Sequence, residues 1–314
     1  MWRNEFRRLK VNKMFPASKV RFQGFVYALS AALLWGLVPV YIDVVSEYDA
    51  MEIVVHRALW SGVLLWLYIL ARGRLSTAYL LWTDRSMRRG FWLSSALITL
   101  NWSLFVYAIS EGFVIEAALG YFIYPLVAVV LGIFILNEPL DRTGWLAVGV
   151  VVAGVAVKAS LASSIPWIGL CLAFTFAFYG ITRKKMGADP IVGMFVELVI
   201  VSPFAVLYLI WMVYQGVPIF FGGGTFNVFL AVLAGAVTVV PLLLYHAGNR
   251  DLPMAMSSLL FYANPTTQLC LGILYFGAVF TMNDAVSFAL IWVGIGLYFL
   301  TRKAAKPPLA TDAV

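Results

Sequence analysis

Of 314 residues, 62% are apolar, 16% aromatic and 12% charged, and a water-soluble globule of that size has no interior large enough to hide so much apolar side chain. The composition excludes an ordinary soluble domain and places the chain in a bilayer. The formal net charge of +7 does not indicate nucleic-acid binding, because the basic residues cluster between apolar runs instead of forming one stripe.

Residues 1–22 form a basic segment, read as cytoplasmic. Trp2, Phe6 and Leu9 can share a helical face among its cations, so either a plain basic tail or a segment resting on the anionic inner leaflet is possible. A bilayer-spanning helix needs about 20 apolar residues. Ten windows meet this: 24–45, 52–71, 90–110, 115–136, 144–160, 165–182, 190–213, 226–246, 253–276 and 285–301. The first run is long enough to span and no shorter apolar core precedes it, so it reads as a helix of the bundle and not as a cleaved signal. With the N-terminus inside, 20 of the 22 basic residues fall on inner segments, which predicts that both ends face the cytoplasm. The predicted fold is therefore an all-α membrane protein of ten transmembrane helices.

The outer connections are short, and the longest, 215–225, holds Gly222, Gly223 and Gly224 without the Lys and Ser or Thr that a phosphate loop requires. The longest inner connection is the Arg-rich stretch 72–89. Cys171 and Cys270 fall inside windows and read as small buried apolar residues.

The fourth window and the ninth are alike. Leu119, Pro125, Leu131, Gly132 and Ile133 recur 140 positions later as Leu259, Pro265, Leu271, Gly272 and Ile273, and Tyr121 and Phe122 match Phe261 and Tyr262. Two tandem units of five crossings, 23–160 and 161–301, must then lie in opposite orientations, leaving a tail at 302–314. The predicted architecture is two inverted five-helix repeats. Pro125 and Pro265 each free a carbonyl one turn earlier, so a kink or gate is expected near Tyr121 and Phe261.

Ionisable groups at membrane depth point to function or to a paired structural role. The second window carries His56 and Arg57 and the seventh carries Glu197, again 140 positions from Arg57. Two readings stand: a charge relay for coupling, or structural pairing and snorkelling. Direct contact between Arg57 and Glu197 would need side-chain reach or helix tilt, since inversion puts them at mirrored depths. His246 and Glu116 read as structural, the latter as an acid favoured by its own helix dipole, and Glu138 and Arg142 as a surface pair four residues apart.

Uncharged polar and aromatic groups trace a candidate substrate path. Trp35, Asn101, Trp102, Tyr107, Tyr121 and Tyr124 come from the first half, with Tyr41 beside them, and Tyr179, Tyr245, Tyr262, Asn264 and Gln268 from the second, with Thr238 and Thr267. Facing lipid, most would leave donors and acceptors unmet, so they are expected around a central cavity.

The stretches His56-Arg57-Ala-Leu-Trp60, Asn101-Trp102-Ser-Leu-Phe105, Glu116-Ala-Ala-Leu-Gly-Tyr-Phe-Ile-Tyr-Pro-Leu126 and Ala173-Phe-Thr-Phe-Ala-Phe-Tyr-Gly180, the last followed by Arg183-Lys184-Lys185, resemble RarD proteins, EamA-type members of the drug/metabolite transporter superfamily. The likeness runs over roughly residues 24–300. It implies the ten-helix inverted repeat, a bacterial inner membrane and a cavity lined by the first, third, fourth, sixth, eighth and ninth helices. The expectation is a secondary transporter, most simply an exporter or exchanger, of small metabolites or amphipathic drug-like compounds. The alternatives are an intramembrane enzyme using His56, His246 and a carboxylate on a lipid-linked substrate, or a non-transporting scaffold. No motif calls for a metal, a cofactor or a nucleic acid; the expected partners are a small solute and the bilayer, and the oligomeric state stays open.

Overall fold

The computed structural model of the chain describes residues 17–111, 113–160, 166–216, 224–277 and 279–301. The expectations for Trp2, Phe6 and Leu9, for Gly222 and Gly223, and for the tail 302–314 lie outside these residues. Within them the regular structure is helical: α1 (Ala17–Val44), α2 (Ala50–Ala71), α3 (Leu75–Thr83), α4 (Arg85–Ser110), α5 (Val114–Leu136), α6 (Arg142–Ala159), α7 (Trp167–Met186), α8 (Pro190–Tyr214), α9 (Thr225–Asp251), α10 (Met254–Leu260), α11 (Ala263–Leu274) and α12 (Met282–Thr301). Seven of them, α1, α2, α5, α6, α8, α9 and α12, are long and apolar enough to cross a membrane. The protein is a multi-pass membrane protein.

The other predicted windows depart from plain apolar spans for visible reasons. Helix α4 starts within the Arg-rich stretch at Arg85 and buries Ser94 and Ser95, while α7 ends on Arg183, Lys184 and Lys185. The stretch 72–89, expected to be a connection, contains α3, which buries Ala78 and Leu81. The window 253–276 is not one kinked helix but the broken pair α10 and α11. Pro265 has no N–H to give the Phe261 carbonyl, and that carbonyl is taken instead by Asn264 N at 2.9 Å, a tighter turn that ends the ladder. In α5 the chain runs through Pro125 without interruption.

Helix ends recur at the same 140-residue spacing. Asp49 caps α2 by accepting from Met51 N and Glu52 N, and Asp189 caps α8 by accepting from Ile191 N and Val192 N, with backbone angles of −56°, 132° and −53°, 130°. Asn137, at φ 53°, ends α5 in the left-handed region, and Gly277, at φ 68°, lies just beyond α11. Asp141 accepts from Gly144 N at 2.8 Å, and Thr281 Oγ1 accepts from Asp284 N at 3.2 Å. The Asp residues ahead of α2, α6 and α8 suit this place because a short carboxylate reaches the free amides of the first turn.

Packing repeats the pattern. Where α6 crosses α12, a Cβ on Gly154 would stand 2.8 Å from Ser287 O, and one on Gly294 would stand 2.8 Å from Ala147 O; these two contacts exchange partners under the 140-residue shift. Tyr262 donates to the carbonyl of its counterpart Phe122 at 2.8 Å.

Two local expectations are corrected and a third is extended. Glu138 pairs with Lys184 Nζ at 2.8 Å and accepts from Met254 N at 2.5 Å, because the left-handed turn at Asn137 carries it away from Arg142 and toward α7 and α10. Glu116 lies in the first turn of its own helix α5, as expected, and also accepts from Ile168 N at 3.0 Å, which ties that turn to the start of α7. Cys171 and Cys270 are free and exposed; each lies on an outward face of its helix.

Asp189 also pairs with Arg74, Nη2 to Oδ2 at 3.0 Å. Burial pulls its carboxyl pKa up, but the amide of Val192, the Arg74 guanidinium and the amide of Ile191 together hold it below the usual carboxylate range. A depressed folded pKa supplies stability above the unfolded pKa and loses it as pH falls through the folded one. Asp189→Asn keeps a capping acceptor but removes the charge that pairs with Arg74, and is therefore expected to lower stability by at most about 1 kcal/mol near neutral pH. The gap from wild type should close in acid, which thermal unfolding across a pH series would read.

Candidate functional site

A cavity of about 510 Å³ lies between α1, α2, α4, α5, α7, α9 and the broken helix pair. It extends to the end of the bundle marked by Asp43, Ser46 and Phe276. Most of its wall is apolar, and its floor is an aromatic cluster. Trp35 lies 5.8 Å from Phe176 and 5.5 Å from both Tyr245 and Phe261, and Tyr124 lies 4.8 Å from Phe176 and from Phe261. The Tyr124 and Tyr245 hydroxyls lie 2.8 Å apart, one donating to the other, and both side chains are buried. Gly180 makes this possible, since a Cβ there would come within 2.2 Å of the Tyr245 hydroxyl.

Of the predicted lining residues, Trp35, Asn101, Trp102, Tyr121, Tyr124, Asn264 and Gln268 face this cavity. Asn101 Nδ2 donates to Leu172 O at 2.9 Å and to Thr175 Oγ1 at 2.8 Å, which leaves its carbonyl oxygen for a solute. Gln268 Nε2 donates to Asn264 Oδ1 at 2.9 Å. Tyr107 does not line the cavity; it is half exposed and stacks on Phe113 at 6.3 Å. Tyr262 is fully buried against Phe122, and Tyr179 and Tyr245 lie outside the lining.

The charges do not converge as the relay reading requires. His56 meets Glu52 one turn away at 3.3 Å, both wholly buried. Arg57 reaches the cavity, with Nε donating to Thr238 Oγ1 at 2.8 Å and its guanidinium 5.7 Å from the Trp102 ring centroid. Glu197 is instead buried between α4, α7 and α8, accepting from Ser94 and from Tyr179 at 3.2 Å and lying 3.5 Å from Arg183. Residues 57 and 197, which stand 140 positions apart, are thus held separately, each against a hydroxyl from another helix. His246 is buried rather than interfacial, and its Nε2 lies 2.7 Å from the Tyr179 hydroxyl, which joins it to the Glu197 group. Gly193 makes room for Arg183, whose guanidinium a Cβ would approach to 2.2 Å. Asp43 and Phe176 were missed as cavity residues; an acid near the end of the first window and a Phe inside the Ala173–Gly180 motif were the available signals.

The EamA-like transporter family profile matches residues 22–159. Protein RarD of Escherichia coli strain K12 is 34% identical over 281 residues, 88% of this chain and 94% of its own length. The chain belongs to the RarD-type EamA transporters. Within this family, the uncharacterized transporter YojE of Bacillus subtilis is 34% identical over 89% of this chain and 94% of its own length. The chloramphenicol-sensitive protein RarD of Pseudomonas aeruginosa is 26% identical over 88% of this chain and 93% of its own. A solved crystal structure only 16% identical overlays with a TM-score of 0.70, covering 88% of this chain and 97% of its own, and that likeness shows the fold. As an EamA-family protein the chain is a membrane transporter.

Proposed function

We propose that this protein is a secondary transporter of small amphipathic solutes, an exporter or exchanger, that works by alternating access. Its proposed frame is ten crossings in two inverted five-helix units, with both termini on the cytoplasmic side of a bacterial inner membrane. The recurring caps, the reciprocal α6 and α12 contacts and the spacing of cations support that frame. On it, the cavity opens outward.

The observation that carries the reading is the cavity itself: it reaches one end of the bundle, and its floor is side chain, not continuous backbone. Trp35, Phe176, Tyr245 and Phe261 come from four different helical segments, so tilting the halves would part them without breaking a helix. The substrate-path group expected from the sequence divides accordingly, into residues that touch the solute and residues, Tyr245 among them, that close beneath it. The Pro265 break lies beside this floor and supplies a hinge, whereas Pro125 does not interrupt its helix. The intramembrane-enzyme reading is less well supported: neither histidine lines the cavity, and no cluster of three metal-ligating side chains occurs among the described residues.

The test is flux in proteoliposomes with a panel of labelled aromatic and aliphatic metabolites and chloramphenicol, with and without a pH gradient. Saturable, protein-dependent movement of at least one compound is the expected outcome. Accumulation driven by the gradient would mark coupled transport, and equilibration alone a facilitator or exchanger. Binding without movement of any bound compound would count against transport.

A further inference from the structure

We infer that the cavity selects organic monoanions, with Arg57 as the carboxylate-binding residue and the aromatic wall receiving an apolar or aromatic body. This rests on the transport reading above and narrows it, since the family resemblance by itself names no charge on the solute.

The inference starts from how the buried charges are matched. Glu197 meets Arg183, Lys158 meets Asp284, and Lys184 meets Glu138. Arg57 differs from these: among the described residues no carboxylate lies within ion-pair distance of it, and the titratable groups acting on it are the Tyr121 and Tyr41 phenols. A guanidinium in a low-dielectric wall without an acid is costly, and it persists where a mobile anion supplies the missing charge.

Geometry then sets the class of anion. The Thr238 hydroxyl gives its own proton to Ala234 O at 2.8 Å, so its oxygen is available to accept from Arg57 Nε at 2.8 Å. That bond and the Trp102 face fix the guanidinium plane. The two terminal nitrogens remain, a fork that matches the two oxygens of a carboxylate. Arg57 is the single cation among the lining residues, with the one lining carboxylate, Asp43, at the open end and Asn101, Asn264 and Gln268 neutral, so the largely apolar and aromatic interior suits one negative charge and one apolar body. The comparison between halves agrees. Position 197 carries the opposite charge, already neutralised by Arg183, whereas position 57 has been left unneutralised at the cavity.

The test uses the full chain in lipid nanodiscs and reads thermal stabilisation, which rises as ligand exceeds its Kd. Probes of matched shape are benzoate and phenylacetate, their amides, and benzylamine. The expected result is that carboxylates stabilise wild type at concentrations at least about tenfold below the amides, with the amine weakest. Arg57→Gln should abolish the preference. Arg57→Lys, with a charge but no fork, should keep part of it, and Thr238→Val should weaken carboxylate binding while retaining the preference. Amides equal to carboxylates on wild type, a preference surviving in Arg57→Gln, or no stabilisation by any carboxylate up to its solubility would overturn the inference. The wild-type comparison needs no variant, so a folding defect cannot mask the answer. Liposome flux of the same probes separates the two readings. Arg57-dependent binding without flux sinks transport and leaves anion recognition, while equal flux of amides and carboxylates does the reverse.

Discussion

Glu197→Leu is expected to cause the largest loss of folded protein of any single substitution in the bundle, Arg183→Met a smaller loss, and the two together a partial recovery. Both side chains are about 3% exposed and 3.5 Å apart. Removing one member of a buried pair costs about 3–5 kcal/mol, because the other is left charged without compensation, whereas replacing both with apolar residues of similar volume is often close to neutral. The order of the two singles follows from chemistry. A stranded carboxylate can take up a proton, but a stranded guanidinium cannot lose one. In the double variant the remaining hydroxyls keep partners, since Tyr179 retains His246 at 2.7 Å and Ser94 retains Phe91 O at 3.3 Å. The fraction remaining monodisperse after heating in detergent reads the ranking. Equal loss in all three would mean the pair contributes through packing and not through charge.

Gly169→Val is expected to disrupt the fold nearly as much. At the crossing of α5 and α7, a Cβ on Gly169 would lie 2.4 Å from Glu116 O and 3.1 Å from Gly120 N, and one on Gly120 would lie 2.9 Å from Gly169 O. These neighbours are backbone and cannot rotate aside, so the helices must separate. Separation would also break the bond from Ile168 N to Glu116. Overpacking in a side-chain core costs about 1–3 kcal/mol, and a backbone clash should exceed that. Gly149→Val on α6 is the control, as nothing stands within 4 Å of a Cβ there. Surface expression and thermal stability should fall for Gly169→Val and stay near wild type for the control.

The helices were legible wherever apolar runs were continuous, since crossing lipid demands length and composition that few other structures need. The break at Phe261 was half legible: Pro265 announced a lost hydrogen bond, but Pro125 announced the same and left α5 intact. Which proline breaks a helix depends on how the neighbouring helices pack around it, and that is tertiary information. For the site, polarity within apolar windows marked Asn101, Asn264, Gln268 and Arg57 as inward-facing, because lipid offers them no partner. Polarity did not reveal which inward direction each takes. Tyr107 and Tyr262 share the composition of the lining residues and lie elsewhere, and the 140-residue relation between Arg57 and Glu197 left a relay and separate structural roles both open, where the geometry holds the two apart.

Two identical halves exchanging roles would give end states of equal free energy, and an empty carrier would divide its time evenly between them. Here α10 and α11 are interrupted while α5, about 140 positions earlier in the chain, is continuous. On the alternating scheme proposed above, the two end states are then unequal and the unloaded protein idles on one side. A solute arriving from the disfavoured side meets only the fraction of molecules open to it, and its apparent Kd is raised by the inverse of that fraction. One broken helix is thus enough to make a passive carrier respond differently to the same solute on its two faces.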